Sequence, residues 1–347
     1  MRHAGVVYRL RRRYAWRHAG RARRPAPGEA PGPPGRSVEG VDGTQVAERR
    51  RGVLYGAAAY GLWGLFPLYW PLLEPSGSLE VLAHRVLWSL VFVALLLAAL
   101  RKGPAVRAAL RDRRQVLRLA VAAVLMAVNW GAYIYGVTSG QVVETSLGYF
   151  INPLVTVLLG VFVLGERLRP VQWGALGLAG LAVVVLSVEG GRPPYLALLL
   201  AFSFGAYGLL KKTARVAPVE GLGIETAVLA PVAAGYLAVL GASGGSTFGG
   251  SGWGHAVLLA LAGFVTAVPL LLFGSAAQRV PMVTLGLLQY LAPTIQFLLG
   301  VLLLHEPMGL PKLLGFALVW TALAVFTYDL VAQRRRAARP ARVPELV

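Results

Sequence analysis

From Gly52 to Leu330 the chain is a nearly continuous series of apolar segments separated by short breaks. A helix needs roughly 20 apolar residues to cross the hydrocarbon core of a bilayer, and each segment is about that long. This series constrains the fold more tightly than any motif, because such helices can hide their apolar flanks only in lipid or against one another. The charge content agrees: 56% of the 347 residues are hydrophobic and 14% charged, too few charges to clothe a soluble domain of this size. One all-α polytopic membrane domain is expected.

Ten spans are predicted: Gly52–Leu72, Leu79–Leu100, Leu119–Val137, Val142–Leu164, Val171–Val188, Tyr195–Leu210, Leu222–Leu240, His255–Ala276, Met282–Leu304 and Pro311–Tyr328. The loop after the second carries Arg101, Lys102, Arg107, Arg111, Arg113, Arg114 and Arg118 against Asp112 alone. Lys211, Lys212, Arg215, Arg279 and the tail from Arg334 to Arg342 fall on the same side of the alternation, with only Arg192 and Lys312 opposite. Cytoplasmic loops concentrate Lys and Arg in this way, so both termini are expected in the cytoplasm. The net charge of +19 is thus explained by membrane topology, and no nucleic-acid partner is expected. Residues 1–51, rich in Arg, Pro and Gly, read as a disordered cytoplasmic tail, or as residues ahead of a later translation start; 331–347 form a second basic tail. Gly241–Gly254, rich in Gly and Ser, reads as a flexible external loop.

The stretch Glu144–Arg167 recurs. Pro153 falls on Pro293 at a shift of 140 places (293 − 153), and the same shift lays Leu158-Leu159-Gly160-Val161 on Leu298-Leu299-Gly300-Val301, Leu164 on Leu304 and Glu166 on Glu306. A constant offset across a whole helix and its terminal turn marks two copies of one unit, 52–190 and 191–330. Five spans per unit is an odd number, so the second copy must face the opposite way. Inverted-topology repeats around a central cavity are the architecture of many alternating-access carriers.

Trp63-Gly64, Pro67-Leu68-Tyr69, His84-Arg85-Val86-Leu87-Trp88-Ser89, Asn129-Trp130 and Ser146-Leu147-Gly148-Tyr149-Phe150-Ile151-Asn152-Pro153-Leu154 resemble the RarD branch of the EamA transporters in the drug/metabolite transporter superfamily. The second unit adds Glu225-Thr226, Thr266-Ala267-Val268-Pro269-Leu270, Leu285 to Thr294 and Glu306-Pro307. The resemblance spans residues 52 to 330 and implies ten helices in two inverted five-helix repeats, a plasma-membrane location and small-molecule transport, with export the implied direction. It departs at Pro71, which stands where a lysine is expected, and Lys211 and Lys212 then mark only the cytoplasmic end of the sixth span.

Arg85 is the costliest residue in the spans, since an Arg at a helix centre carries a penalty of roughly 2.5 to 3.5 kcal/mol on insertion scales. It reads either as a cavity-facing site for an anion or carboxylate, or as a structural partner of a helix-end carbonyl, Glu80 or Glu144. His84 could titrate near neutrality, but neighbours on a helix point about 100° apart, so it and Arg85 cannot both face the cavity equally. Glu80 and His84 are spaced i, i+4 and could pair. Asn129 and Trp130, mid-span, line the cavity or join helices. Pro153 and Pro293 each free a carbonyl in mid-helix beside Tyr149, Asn152, Gln289 and Tyr290, which reads as a pair of broken helices lining a substrate site, or as static kinks. Trp63 and Tyr133 lie deep enough to stack on a ligand. Glu225, in the first turns of the seventh span, is the acid best placed for proton coupling. Glu166 and Glu306 end their helices and read as structural, through a pair with Arg167 or Lys312 or as a cap on an adjoining helix.

Cysteine is absent, which excludes disulfides, thiolate chemistry and Cys-type metal sites. No nucleophile with a base, metal-ligand spacing or phosphate-binding loop is present, so neither an enzyme nor a pump with a nucleotide domain is expected, and no cofactor or metal. Gly52 and Gly56, and Gly174, Gly177 and Gly180, admit close helix approach and a homodimer. The expected function is a secondary transporter of small metabolites or drug-like molecules; the alternative is a membrane sensor or assembly factor acting through the basic loop.

Overall fold

The computed structural model describes residues 43–139, 141–188 and 194–303, with short helical pieces between 313 and 329. All regular elements among the described residues are helical. In chain order they are α1 (Gly43–Gly64), two 3-10 turns (Phe66–Leu68 and Trp70–Leu73), α2 (Ser78–Ala99), α3 (Gly103–Arg111), α4 (Arg113–Thr138), α5 (Val142–Leu164), α6 (Pro170–Val188), α7 (Tyr195–Thr213), α8 (Pro218–Ala242), α9 (Trp253–Arg279), α10 (Met282–Gln289), α11 (Leu291–Leu298) and a π turn (Leu299–Leu303). Seven of these helical runs are long and apolar enough to cross a membrane. The tenth predicted span falls where only isolated helical pieces are described. Residues 1–42, Arg192, Glu306, Lys312 and the basic tail lie outside the described residues.

The first span differs from expectation at both ends. α1 begins at Gly43, so residues 43–51, assigned to the disordered tail, are helical. Arg279 Nε, at the end of α9, donates to Glu48 Oε2 at 2.9 Å and Arg51 Nη1 donates to Glu48 Oε1 at 2.9 Å. These two guanidinium groups hold the Glu48 carboxyl below the usual carboxylate range. At its other end α1 stops at Gly64 instead of running to Leu72. Pro67 and Pro71 lack the amide hydrogen an α-helix needs there, and each sits in the first two positions of a 3-10 turn.

α2 lies between α8 and α9, and α1 packs on α9 and on the α10–α11 pair; α7 packs on α4 and α5. Under the 140-place shift α1 falls on α7, α2 on α8, α4 on α9 and α5 on α10–α11. The packed pairs follow the same exchange: α1 with α9 and α7 with α4; α2 with α9 and α8 with α4; α5 with α7 and α10–α11 with α1. With lipid outside, these contacts gain from close packing and interhelical hydrogen bonds rather than from escape from water. One of the tight crossings is at Gly263. Ser89 Oγ donates to its carbonyl at 2.9 Å, and a Cβ there would lie 2.2 Å from the Trp88 carbonyl carbon. Gly52 and Gly56 also sit at close contacts, on Arg279 and Leu288, whereas Cβ atoms at Gly174, Gly177 and Gly180 would meet nothing within 4 Å among the described residues.

The two proline spans do not match. α5 runs unbroken through Pro153, while its counterpart is interrupted at Tyr290, which ends α10 and precedes α11; Pro293 occupies the first turn of α11, where a missing amide hydrogen is harmless. At the far end of α5, Gly165 adopts a left-handed conformation (φ 69°) and closes the helix. The turn delivers Glu166 to the start of α10, where Oε1 accepts from Met282 N at 2.7 Å and Oε2 from Val283 N at 2.9 Å. Of the readings weighed for Glu166, the cap on an adjoining helix is the one adopted, and a carboxylate at the positive end of α10 is favourable there.

Gly241–Gly254 is not a free loop. Glu80, in the first turn of α2 and buried, accepts from Thr247 N (2.7 Å), Ser246 Oγ (2.9 Å) and Thr247 Oγ1 (3.0 Å). His255 Nε2 closes the network with Ser76 Oγ at 2.8 Å.

Candidate functional site

A cavity of about 220 Å³ opens among α1 and its 3-10 turns, α2, α4, α5, α7, α9, α10 and α11. Nine of the residues singled out from the sequence line it: Trp63, Arg85, Asn129, Trp130, Tyr133, Tyr149, Asn152, Gln289 and Pro293. The same wall includes Tyr60, Phe66, Trp70, Phe204, Thr266 and Gln296.

Arg85 enters from α2 with its guanidinium held between two indole faces, 4.8 Å from the Trp70 centroid and 4.8 Å from that of Trp130. Trp70 reaches this position because the 3-10 turns bend the chain inward after α1. Nε of Arg85 donates to Thr266 Oγ1 on α9 at 2.9 Å. No carboxylate among the described residues comes within ion-pairing reach of it; Glu80, one partner considered, is committed to Ser246 and Thr247. The Glu144 side chain lies outside the described residues. Tyr133 and Tyr149 meet edge-on beside Arg85, ring centroids 6.1 Å apart.

The amides serve two purposes. Asn129 Nδ2 donates to Leu200 O (2.9 Å) and Ser203 Oγ (3.0 Å), and the Asn152 amide, oriented to match its surroundings, donates to Leu200 O and Ala201 O at 3.2 Å each. Both tie α7 to its neighbours from within the cavity wall. Gln289 pairs with Thr156 across α10 and α5, its Nε2 donating at 3.1 Å, and Gln296 Nε2 donates to Trp63 O at 3.2 Å. Beneath Trp63, the rings of Tyr60, Phe204, Tyr207 and Phe273 form one aromatic floor.

Four expected site residues lie elsewhere. His84 turns from the cavity and stacks on Phe248, centroids 4.8 Å apart, and its Nε2 has no hydrogen bond; it does not pair with Glu80. Pro153 and Tyr290 line a separate hollow of about 20 Å³ against α6, while on α5 the main cavity ends at Asn152, the residue before Pro153. The backbone explains this, because Gly286 of α10 sits so close that a Cβ on it would come within 2.9 Å of the Pro153 carbonyl oxygen. Glu225 is buried and bound: Lys211 Nζ donates to Oε1 at 2.8 Å and Tyr207 Oη to Oε2 at 3.2 Å. Lys211, at 2% exposure, is therefore a core residue and not a marker of the helix end. A hollow of about 20 Å³ beside Glu225 shares Met126, Trp130, Thr266 and Leu270 with the main cavity, so the pair stands one layer beyond its wall.

The sequence reading missed Trp70, Thr266 and Lys211. The offset could have flagged the last: the shift of 140 that pairs the prolines also lays Arg85 on Glu225, which invites a search for what holds each charge. Among the described residues no group of three His, Asp or Glu is placed to hold a metal ion.

The profile of the EamA-like transporter family matches this chain twice, over residues 50–188 and 193–328. The chain belongs to that family. This EamA-family protein is 55% identical over 302 residues to "Protein RarD" of Streptomyces exfoliatus, covering 86% of this chain and 96% of that one, and is a RarD-type member. It is 44% identical over 296 residues to "Uncharacterized transporter YojE" of Bacillus subtilis (strain 168), covering 84% and 98%. A solved structure described only as "Crystal structure of protein" superposes with a TM-score of 0.62 at 23% identity, covering 81% of this chain and 98% of that one, a likeness of fold. The EamA-family protein is thus a multi-pass membrane protein of a transporter family, and the two matched stretches each contribute a share of the cavity wall.

Proposed function

We propose that this protein is a secondary carrier that moves a small molecule across the bacterial inner membrane by alternating access. Two five-span repeats of opposite orientation would enclose the substrate site and exchange conformations to open it to either side. The observation that carries this reading is the cavity itself, whose polar and aromatic lining comes from both halves of the chain: Arg85, Asn129, Trp130, Tyr149 and Asn152 from one, Thr266, Gln289, Pro293 and Gln296 from the other. The exchanged helix pairs and the doubled family match support the repeat. The end bearing Arg101 to Arg118 faces the cytoplasm by the positive-inside rule, and export is the direction carried over from the family resemblance.

A sensor acting through the basic loop would need a packed centre, and the cavity counts against it. The test is uptake by proteoliposomes of a metabolite panel, with and without a pH gradient. Flux of at least one solute, saturable and lost in Gln289→Ala, is expected; absence of flux for every solute under both conditions overturns the carrier reading.

A further inference from the structure

We infer that the cavity selects a small organic monoanion, a carboxylate carried on a flat aromatic body, and rejects cations and zwitterions. This rests on the carrier reading of the same cavity. Arg85 is the single charged side chain among the described residues lining it. The other buried lysine and carboxylates among the described residues are answered by protein groups: Lys211 by Glu225, Glu220 by Lys102, Glu80 by Ser246 and Thr247. Arg85 has only Thr266, on Nε, and two indole faces. Cation–π contact offsets part of the cost of placing a guanidinium there, and holds its plane fixed. Among the described residues the guanidinium hydrogen-bonds to the protein through Nε alone, and Arg85 lines the cavity, which leaves its Nη groups for a ligand. A planar fork of this kind matches a carboxylate with two parallel hydrogen bonds.

The offset sharpens the point. The position matching Arg85 in the second repeat is Glu225, whose charge Lys211 already neutralises behind the wall. Among the described residues no acid faces the cavity to receive an ammonium group, so a cation meets a like charge and a zwitterion leaves one end unpaired. Size sets the body. A dry cavity of about 150 Å³ is enough to admit benzene, and about 220 Å³ is available here, room for one ring and its head group. Trp63, Trp70, Trp130 and Tyr149 supply faces for that ring.

The test measures binding to the purified protein in nanodiscs, by calorimetry, for four probes of one ring each: benzoate, benzyl alcohol, benzylamine and phenylalanine. A charge-assisted hydrogen-bond pair predicts benzoate binding about tenfold or more tighter than each of the others. Arg85→Gln should erase that preference, and Arg85→Lys should keep its sign while reducing it. Equal or tighter binding of the alcohol, the amine or the amino acid, absence of benzoate binding, or a preference surviving Arg85→Gln would each overturn the inference; the wild-type comparison stands even where a variant fails to fold. Binding is read without flux, so the two readings separate. Solute flux without benzoate preference leaves the carrier standing and removes the anion, and benzoate preference without flux does the reverse.

Discussion

At the scale of single residues, the charges that hold the fold are set apart from Arg85, which faces the cavity. The Lys211–Glu225 pair is buried, with Tyr207 as a further donor, and breaking such a pair strands a charge. Lys211→Met should therefore lower stability by about 3 to 5 kcal/mol, read as thermal unfolding in detergent. The double variant Lys211→Met with Glu225→Gln should recover most of that loss, because neither stranded charge remains. Recovery of nothing would mean that Lys211 acts through its packing alone. Glu166→Ala should cost about 1 to 2 kcal/mol, the usual loss for a removed helix cap, with Glu166→Gln milder because one acceptor oxygen survives. Arg85 was legible from sequence because an arginine inside an apolar span has few explanations. Its sandwich was not, since Trp70 arrives through a turn that sequence periodicity reads as more helix. Nor was Lys211: two basic residues after an apolar run look like a membrane boundary, and only the rotation of α7 turns one of them inward.

At the scale of elements, seven of the ten expected spans meet a described helix long and apolar enough to cross a membrane, and the interruptions were less legible. Hydrophobic length places the helices well, because the bilayer demands that length of each. It says nothing about whether a proline bends, breaks or begins a helix. Pro153 leaves α5 whole, Pro293 starts α11 after the break at Tyr290, and Pro67 and Pro71 end α1 early; the same residue type has three outcomes set by what packs beside it. Glycines divide similarly. Gly263→Ala should destabilise by about 1 to 3 kcal/mol or more through overpacking against Trp88, whereas Gly177→Ala, facing open space, should leave the melting temperature unchanged or slightly raised. A melting series on the two variants side by side checks the pair; equal losses would mean that α6 is covered in the membrane by another surface. The apparent looseness of Gly241–Gly254 misled for a related reason. Glycine content reports what a backbone can do, and the side-chain grip of Glu80 on Ser246 and Thr247 decides what it does.

At the scale of the whole molecule, the duplication makes a further prediction. The chain has no native cysteine, so single-cysteine variants report cleanly. Under alternating access, a membrane-impermeant thiol reagent should label Phe66→Cys from the side opposite the basic loops, and substrate should change that rate in the direction opposite to its effect on Thr226→Cys, labelled from the basic side. Rates that rise or fall together would contradict a reciprocal gate.

The two halves matched by the family differ in chemistry, for where one carries Arg85 on the cavity wall the other has Glu225, an acid already satisfied from within. A first half expressed alone, even beside further copies of itself, should therefore fail to replace the whole chain, for it carries Arg85 but lacks the lysine–glutamate strut entirely.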